Sequence, residues 1–247
     1  MFLIPPSWYS VRRTKQKGRG VFALHDIASG TIIGDYLGIL MDPKEEDEER
    51  DGLYTMIGGL HYNILGNPKT TGIHLINHSC ANNCDIYPYQ GHILYFASRK
   101  IFKGEEITAD YWLYAPWEHW TNCAMHVCYC SSTVCTGSMH HALSQFEPME
   151  KLWEKNFGTW YRKIPGKYGE QLSPLKKYPQ SIKKDYPTIY NLFGSENKPP
   201  TKYPETILPP IVVLRNKIRE TGRRLLFPKL KMALYGVRNG VLLVKRH

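Results

Sequence analysis

At 247 residues the chain can hold one domain of about 130–150 residues and a smaller appendage, and its 42% hydrophobic content suffices for a packed core, so disorder is not the default. No apolar run approaches the roughly 18–20 residues that span a bilayer, so no membrane partner is expected. The net charge of +10 is uneven: residues 140–247 carry 21 Lys/Arg against 8 Asp/Glu, or +13, and the remainder 11 against 14, or −3.

That asymmetry fits a basic substrate for the front half and an acidic partner such as nucleic acid for the tail; a solvated basic surface accounts for it equally well. The first six residues, Met-Phe-Leu-Ile-Pro-Pro, have no basic n-region and no long h-region, so they do not read as a signal peptide. Six cysteines then point to thiols and metal ligands in a reducing compartment, nucleus or cytoplasm, rather than to disulfides. Export into a host cell by a specialised route would leave no such mark.

In chain order, residues 8–11, 20–23 and 31–37 alternate as short strands, with Lys17-Gly18-Arg19-Gly20 as a turn open to close backbone approach and residues 26–30 as another turn. Residues 43–51 are too charged for a core and read as a solvated helical turn or loop. Residues 54–57 and 61–65 look like a hairpin around Gly58-Gly59. Gly66-Asn67-Pro68 breaks the chain, and 92–97 is a further strand. Residues 143–163 and 211–235 have helix-like spacing, interrupted at Pro148, Gly222 and Pro228. There is no internal repeat, and the composition changes near residue 139.

Two constellations carry chemistry. Asn77-His78-Ser79-Cys80 sets ligand-grade side chains behind an apolar run and before Asn82-Asn83-Cys84, a weak signal alone. Cys128, Cys130 and Cys135 are spaced to converge on one metal. Structural zinc takes four ligands, so the fourth must come from elsewhere in the chain.

Taken together, seven motifs in order resemble the SET-domain protein-lysine methyltransferases with a post-SET zinc segment. They are Lys17-Gly18-Arg19-Gly20-Val21-Phe22, Asp35-Tyr36-Leu37-Gly38, Tyr54-Thr55-Met56, Gly66-Asn67 ahead of the stretch from His74 to Cys80, Ala97-Ser98-Arg99-Lys100-Ile101, the stretch from Gly104 to Tyr111, and the three clustered cysteines. The resemblance covers residues 15–137. It implies a mainly β SET fold, with small curved sheets and a pseudoknot-like crossing of the Asn77 segment by residues 104–111. Residues 7–120 would form that domain and 121–139 the zinc segment, with 140–247 as a basic, α-helical C-terminal extension.

The resemblance further implies S-adenosylmethionine held by Lys17, Gly18, Arg19, Gly20, Tyr54, His74, Asn77 and His78. It implies structural zinc on Cys80, Cys128, Cys130 and Cys135, with Cys84 as an alternative ligand and Cys123 unassigned. Tyr111 would orient the target amine, Tyr36 would line the channel, and Ala109 and Tyr95 would shape it. Ala109 stands where the family usually carries an aromatic ring, which favours di- or trimethylation unless Tyr95 or Phe96 fills the space. His74 stands for a more usual Arg, and Ile39 for a frequent Glu. The expected activity is protein-lysine N-methylation, with a histone tail favoured over a non-histone basic protein. Glu45 and the acids after it could help attract such a tail. A catalytically silent module binding chromatin or nucleic acid is the rival. Lys176, Lys177, Lys183, Lys184, Arg223 and Arg224 among tyrosines 178, 186 and 190 give the tail its possible nucleic-acid character.

Overall fold

Short strands separated by glycine and polar turns curl into several small sheets, in a computed structural model that describes residues 1–45, 54–114, 126–141, 162–179, 232–238 and 241–246. Strands β1 (Tyr9–Arg13) and β2 (Arg19–Ala23) form an antiparallel hairpin, from Tyr9 opposite Ala23 to Arg13 opposite Arg19. Gly18 closes its turn at φ +70°, a conformation open to glycine at no steric penalty. Strand β3 (Ile32–Asp35) is wholly buried. Strands β4 (Ile39–Met41), β5 (Thr55–Gly59) and β6 (Tyr62–Leu65) make a separate sheet in the order β4-β6-β5.

Next come β7 (Asn77–His78), β8 (Cys84–Tyr89), β9 (His92–Ala97) and β10 (Glu106–Ala109). The main sheet runs β1-β2-β10-β8-β9-β3, with β7 also beside β10. Its core is branched and aromatic: Ile27, Ile32, Ile33, Ile93, Leu94 and Phe96 are fully buried. Strands β11 (Leu113–Tyr114) and β12 (His140–His141) pair in parallel, and β13 (Met232–Arg238) and β14 (Val241–Arg246) form an antiparallel hairpin.

The crossing expected from the resemblance is seen in the register. Strand β10 runs antiparallel to β2 through Glu106 and Ile107, then parallel to β7 through Thr108 and Ala109, and meets β8 at Ala109–Cys84. Residues 162–179 lie over the other end of the core. Gly169 donates to the Leu40 carbonyl (2.7 Å), Leu40 to Glu170 (2.9 Å) and Leu172 to Gly38 (2.8 Å), so this strap covers the edge of β4. Leu172 is buried in the core, and the Tyr178 hydroxyl donates to buried Asp35 (2.8 Å).

Three features differ from the sequence reading. Gly58 and Gly59 lie within β5 rather than at the turn, because a Cβ on Gly58 would sit 2.2 Å from the Tyr62 ring. Strand β8 went unread because Pro88 argues against a strand; β10 reaches β8 only at Cys84, so the missing N–H at Pro88 faces no neighbour on that side. The helix-like reading of 211–235, and with it the α-helical C-terminal extension, is corrected at residues 232–235: these belong to β13, and no α-helix occurs among the described residues. Asn239-Gly240 between two apolar runs is the hairpin signal that outweighs the loose helical spacing. The rest of that stretch and residues 143–161 lie outside the described residues.

A Cβ on Gly38 would stand 2.1 Å from the Leu65 carbonyl oxygen, a backbone atom of β6. Gly38→Ala must therefore push β4 off β6. It is expected to lower unfolding stability by about 1–3 kcal/mol, read as a drop in urea midpoint.

Candidate active site and metal centre

The residues from Asn77 to Asn83 are polar because they complete the crossing. The Asn77 amide donates to the Arg19 carbonyl (3.0 Å) and to Glu106 Oε1 (2.9 Å), and Lys17 Nζ takes Glu106 Oε2 at 2.5 Å. These contacts bind β2, β7 and β10 into one corner. Gly20 sits inside it; a Cβ there would lie 2.7 Å from Glu106 Oε1 and 2.8 Å from Asn77 Nδ2. Gly18 has nothing within 4 Å of a notional Cβ, so the turn presents bare backbone to open space, as a ligand-binding loop requires. The Arg19 guanidinium donates to the Pro68 carbonyl.

Behind this corner four tyrosines gather. The Tyr36 hydroxyl donates to the Tyr54 carbonyl, and its ring lies 6.2 Å from that of Tyr95. His74 stands edge-on to Tyr36 (6.4 Å) and Tyr54 (6.0 Å). The Tyr111 hydroxyl donates to the Ile76 carbonyl at 3.0 Å. Burial, and then the neighbouring tyrosines, push the Tyr36, Tyr95 and Tyr111 phenols above their ordinary range. All three are neutral at pH 7. Burial lowers the His74 pKa, partly opposed by the Thr70 carbonyl that its Nε2 faces at 3.3 Å. Ala109 is fully buried at the end of β10, with only a methyl group to fill the place.

The cysteines meet on the far side of β7. The sulfurs of Cys80, Cys128, Cys130 and Cys135 all lie within 4.8 Å of one another, and Cys80 and Cys128 are 3.6 Å apart. Four sulfurs at about 2.3 Å from a tetrahedral zinc stand about 3.8 Å apart, so this set fits the ion. A further donor shell supports it: the Gly137 amide points at Cys135 Sγ (3.4 Å), and Cys128 N donates to the Gly137 carbonyl (3.0 Å). Crowding divides the thiols. Cys130 is held well down by the thiols of Cys128 and Cys80, and Cys128 is pushed up. Cys80 is lowered by Cys128 but raised more by Cys130 and burial, and ends at about 11. Four thiolates packed this closely repel one another, so together they call for a cation. Cys84 is not in this set. It is buried in β8, with Sγ toward the Asp85 carbonyl (3.9 Å), which removes it as an alternative ligand. Cys123 lies outside the described residues.

Asp110 joins the two halves. Its Oδ1 accepts from His141 Nε2 (2.8 Å) and Trp112 N (3.0 Å), and the Trp112 indole stacks on His141 at 4.5 Å and 18°. Trp112 has φ +53°, a strained value for a bulky residue, held in place by these contacts. Burial pushes the Asp110 pKa up, but the His141 hydrogen bond and charge bring it below the ordinary value.

Residues 18–112 match the SET domain family model, and the chain carries a SET domain there. Over 133 residues it is 32% identical to a protein named histone-lysine N-methyltransferase ATX2 of Arabidopsis thaliana, covering 49% of this chain and 12% of that protein. It is 31% identical over 137 residues to a histone-lysine N-methyltransferase named as H3 lysine-36 specific from Yarrowia lipolytica (50% and 17%), and 28% identical over 173 residues to histone-lysine N-methyltransferase ash1 of Drosophila melanogaster (64% and 7%). The chain thus spans less than a fifth of the length of these relatives.

Of the residues singled out from sequence, Lys17, Arg19, Gly20 and Asn77 share the crossing corner. Tyr36, Tyr54, His74, Tyr95 and Tyr111 share the aromatic cluster, and His78 lies between Tyr111 and the cysteines. The sequence reading missed Glu106, Asn83, Asp110 and His141. Glu106 and Asp110 lay inside a quoted motif, but nothing there showed which carboxylates would hold partners from other segments. His141 carries no local signal at all.

One metal ion per chain is expected, lost in Cys80→Ser and Cys128→Ser, with affinity falling on acidification because the cysteines bind as deprotonated thiolates; metal analysis after dialysis checks it. For His74 the folded-state pKa lies below its ordinary 6.5, so the folded state favours the neutral ring. Stability from this residue is present above about 6.5 and lost as pH falls below it, because the unfolded chain takes up the proton first. His74→Phe should flatten the urea midpoint between pH 7 and 5.

Proposed function

We propose that the chain is an S-adenosylmethionine-dependent protein-lysine N-methyltransferase whose substrate is a histone tail. The observation that carries this is the Tyr111 phenol at the end of the crossing: partly buried, neutral, and tied through its hydrogen to the Ile76 carbonyl. Donating there leaves its lone pairs free to accept from the ammonium or amine of a target lysine. Together with the SET domain match and the names of the relatives, this favours an enzyme over a silent binding module.

When bound, S-adenosylmethionine supplies the methyl group on a sulfonium. A target lysine nitrogen would take that methyl in one displacement, with the S–CH3 bonding pair left on sulfur. In-line displacement needs positioning and dryness more than covalent catalysis. In our reading Gly18 and Gly20 give the donor close backbone approach, Asn77 and Glu106 fix that loop, and His74 and Tyr54 offer ring edges and faces. Lys17 and Arg19 add positive charge beside the donor's carboxylate. Tyr36, Tyr95 and Tyr111 line the lysine channel, where their faces attract an alkylammonium.

A free lysine amine has a pKa of about 10.4, so the amine must lose its proton before attack. With every channel phenol pushed up, none serves as base at pH 7. Burial and the neighbouring sulfonium charge would instead lower the lysine's own pKa. Ala109 leaves the room that an aromatic ring would take, and we infer transfer of more than one methyl. A chromatin location follows from the histone reading.

The test is transfer of radiolabelled methyl from S-adenosylmethionine to mixed core histones, with mass spectrometry on labelled bands. Tyr111→Phe should lower turnover by at least about a hundredfold. Label that persists at full rate in that variant would remove Tyr111 from the mechanism. Label on non-histone proteins alone would move the substrate, and no label on any protein would overturn the enzyme.

A further inference from the structure

His78 faces two ways, and its surroundings fix which nitrogen carries the proton. The backbone N–H of Tyr111 points at Nδ1 over 3.2 Å. An amide N–H can only donate, so Nδ1 is the acceptor and the hydrogen of the neutral ring is on Nε2. That nitrogen lies 3.6 Å from Cys80 Sγ, within reach of an N–H···S contact given the size of sulfur. The ring is 5% exposed, so this hydrogen has no ready access to water. Among the described residues the other close polar group, Asp110 Oδ1, lies on the Nδ1 side at 3.8 Å and already accepts from His141 and Trp112.

We propose that His78 is a positioning residue joining the metal centre to Tyr111: the metal-bound Cys80 thiolate accepts N–H from Nε2, while Nδ1 of the same ring holds the Tyr111 backbone. The inference rests on the ligand set argued above. A thiolate acceptor makes the N–H···S contact charge-assisted, which both stabilises the ligand and fixes the ring plane. Electron density drawn toward the imidazole by that bond also makes Nδ1 the better acceptor. Tyr111 is then held at two points, its amide by His78 and its hydroxyl by the Ile76 carbonyl. Strand pairing leaves His78 no freedom to retreat, because its backbone lies beside Ala109 across β7 and β10. Zinc would then do more than fasten residues 126–141: its ligand sets the orientation of the group next to the reacting amine.

Two substitutions separate the two nitrogens. His78→Asn puts an amide oxygen near the place of Nδ1 and removes the donor to Cys80. His78→Gln puts an amide nitrogen near the place of Nε2 and removes the acceptor for Tyr111. Zinc affinity, measured on the full chain by competition with a chromogenic chelator, should fall about 10–100-fold in the Asn variant and stay near wild type in the Gln variant. The Gln variant should keep its metal and its KM for substrate while kcat falls. A histidine proton–nitrogen correlation spectrum of the zinc-loaded wild type should show His78 protonated on Nε2, a readout that stands even if a variant fails to fold. An Asn variant that binds zinc as tightly as wild type, or a His78 ring protonated on Nδ1, would overturn the coupling, as would a wild-type chain that binds no zinc. If the wild type transfers no methyl group, affinity and spectrum still decide the coupling, so its failure is distinct from failure of the enzyme reading.

Discussion

Four residues of β10 must satisfy three neighbouring strands, and the rest of the domain is arranged so that they can. Glu106 and Ile107 take β2, Thr108 and Ala109 take β7, and Ala109 also reaches β8. A strand so short cannot complete these ladders with backbone alone. Asn83 makes up the difference: its Oδ1 accepts from Thr108 N (2.9 Å), its Nδ2 donates to the Glu106 carbonyl (2.8 Å), and its own N donates to Thr108 (3.1 Å). Buried backbone groups left unpaired would cost about 1–3 kcal/mol each, which explains why an apolar core tolerates Asn77, Asn82 and Asn83.

Two buried carboxylates extend that organisation outward. Asp110 gathers His141 and the Trp112 amide, so the cysteine segment is tied to the end of β10 by charge-assisted contact as well as through the clustered cysteines. Asp35, at the end of β3, accepts from His92 Nδ1 (2.7 Å) and from the Tyr178 hydroxyl, which ties in the strap. The residues that follow these anchors are Tyr111 and Tyr36. Tyr36 and Tyr111 are therefore each preceded by a buried carboxyl group that cannot move without leaving its partners unpaired. Segments far apart in sequence, at 141 and 178, reach these two tyrosines through those anchors.

The main strands were legible because glycine turns and apolar alternation are local signals, and the hairpin of β1 and β2 follows from Gly18 and Gly20 alone. The cysteine cluster was half legible: spacing brought three thiols together, and the fourth came only through likeness to a family. Burial of Asp110 and Asp35 was not legible, since a carboxylate in sequence looks the same whether solvated or enclosed. Strand β8 was hidden by Pro88, and β13 by an apolar run whose spacing suits helix and strand alike. Pairing over long separations, such as Leu113 with His140, leaves no trace in either segment.

The titration states of the site decide its style of chemistry. Burial keeps the phenols of Tyr36, Tyr95 and Tyr111 protonated, and it lowers the pKa of His74 and His78, so these rings are neutral as well. The carboxylates nearby, Glu106 and Asp110, are held by Lys17 and by His141 and the Trp112 amide. What the pocket can do is hold: the Tyr36 hydroxyl is committed to the Tyr54 carbonyl and the Tyr111 hydroxyl to the Ile76 carbonyl. Such commitment suits a displacement in which the barrier depends on the line of approach, and in which positive charge on the donor disperses as the bond forms. Weakly polar, electron-rich rings tolerate that charge at both ends of the path, which fits the proposed displacement, one set by alignment more than by a catalytic base.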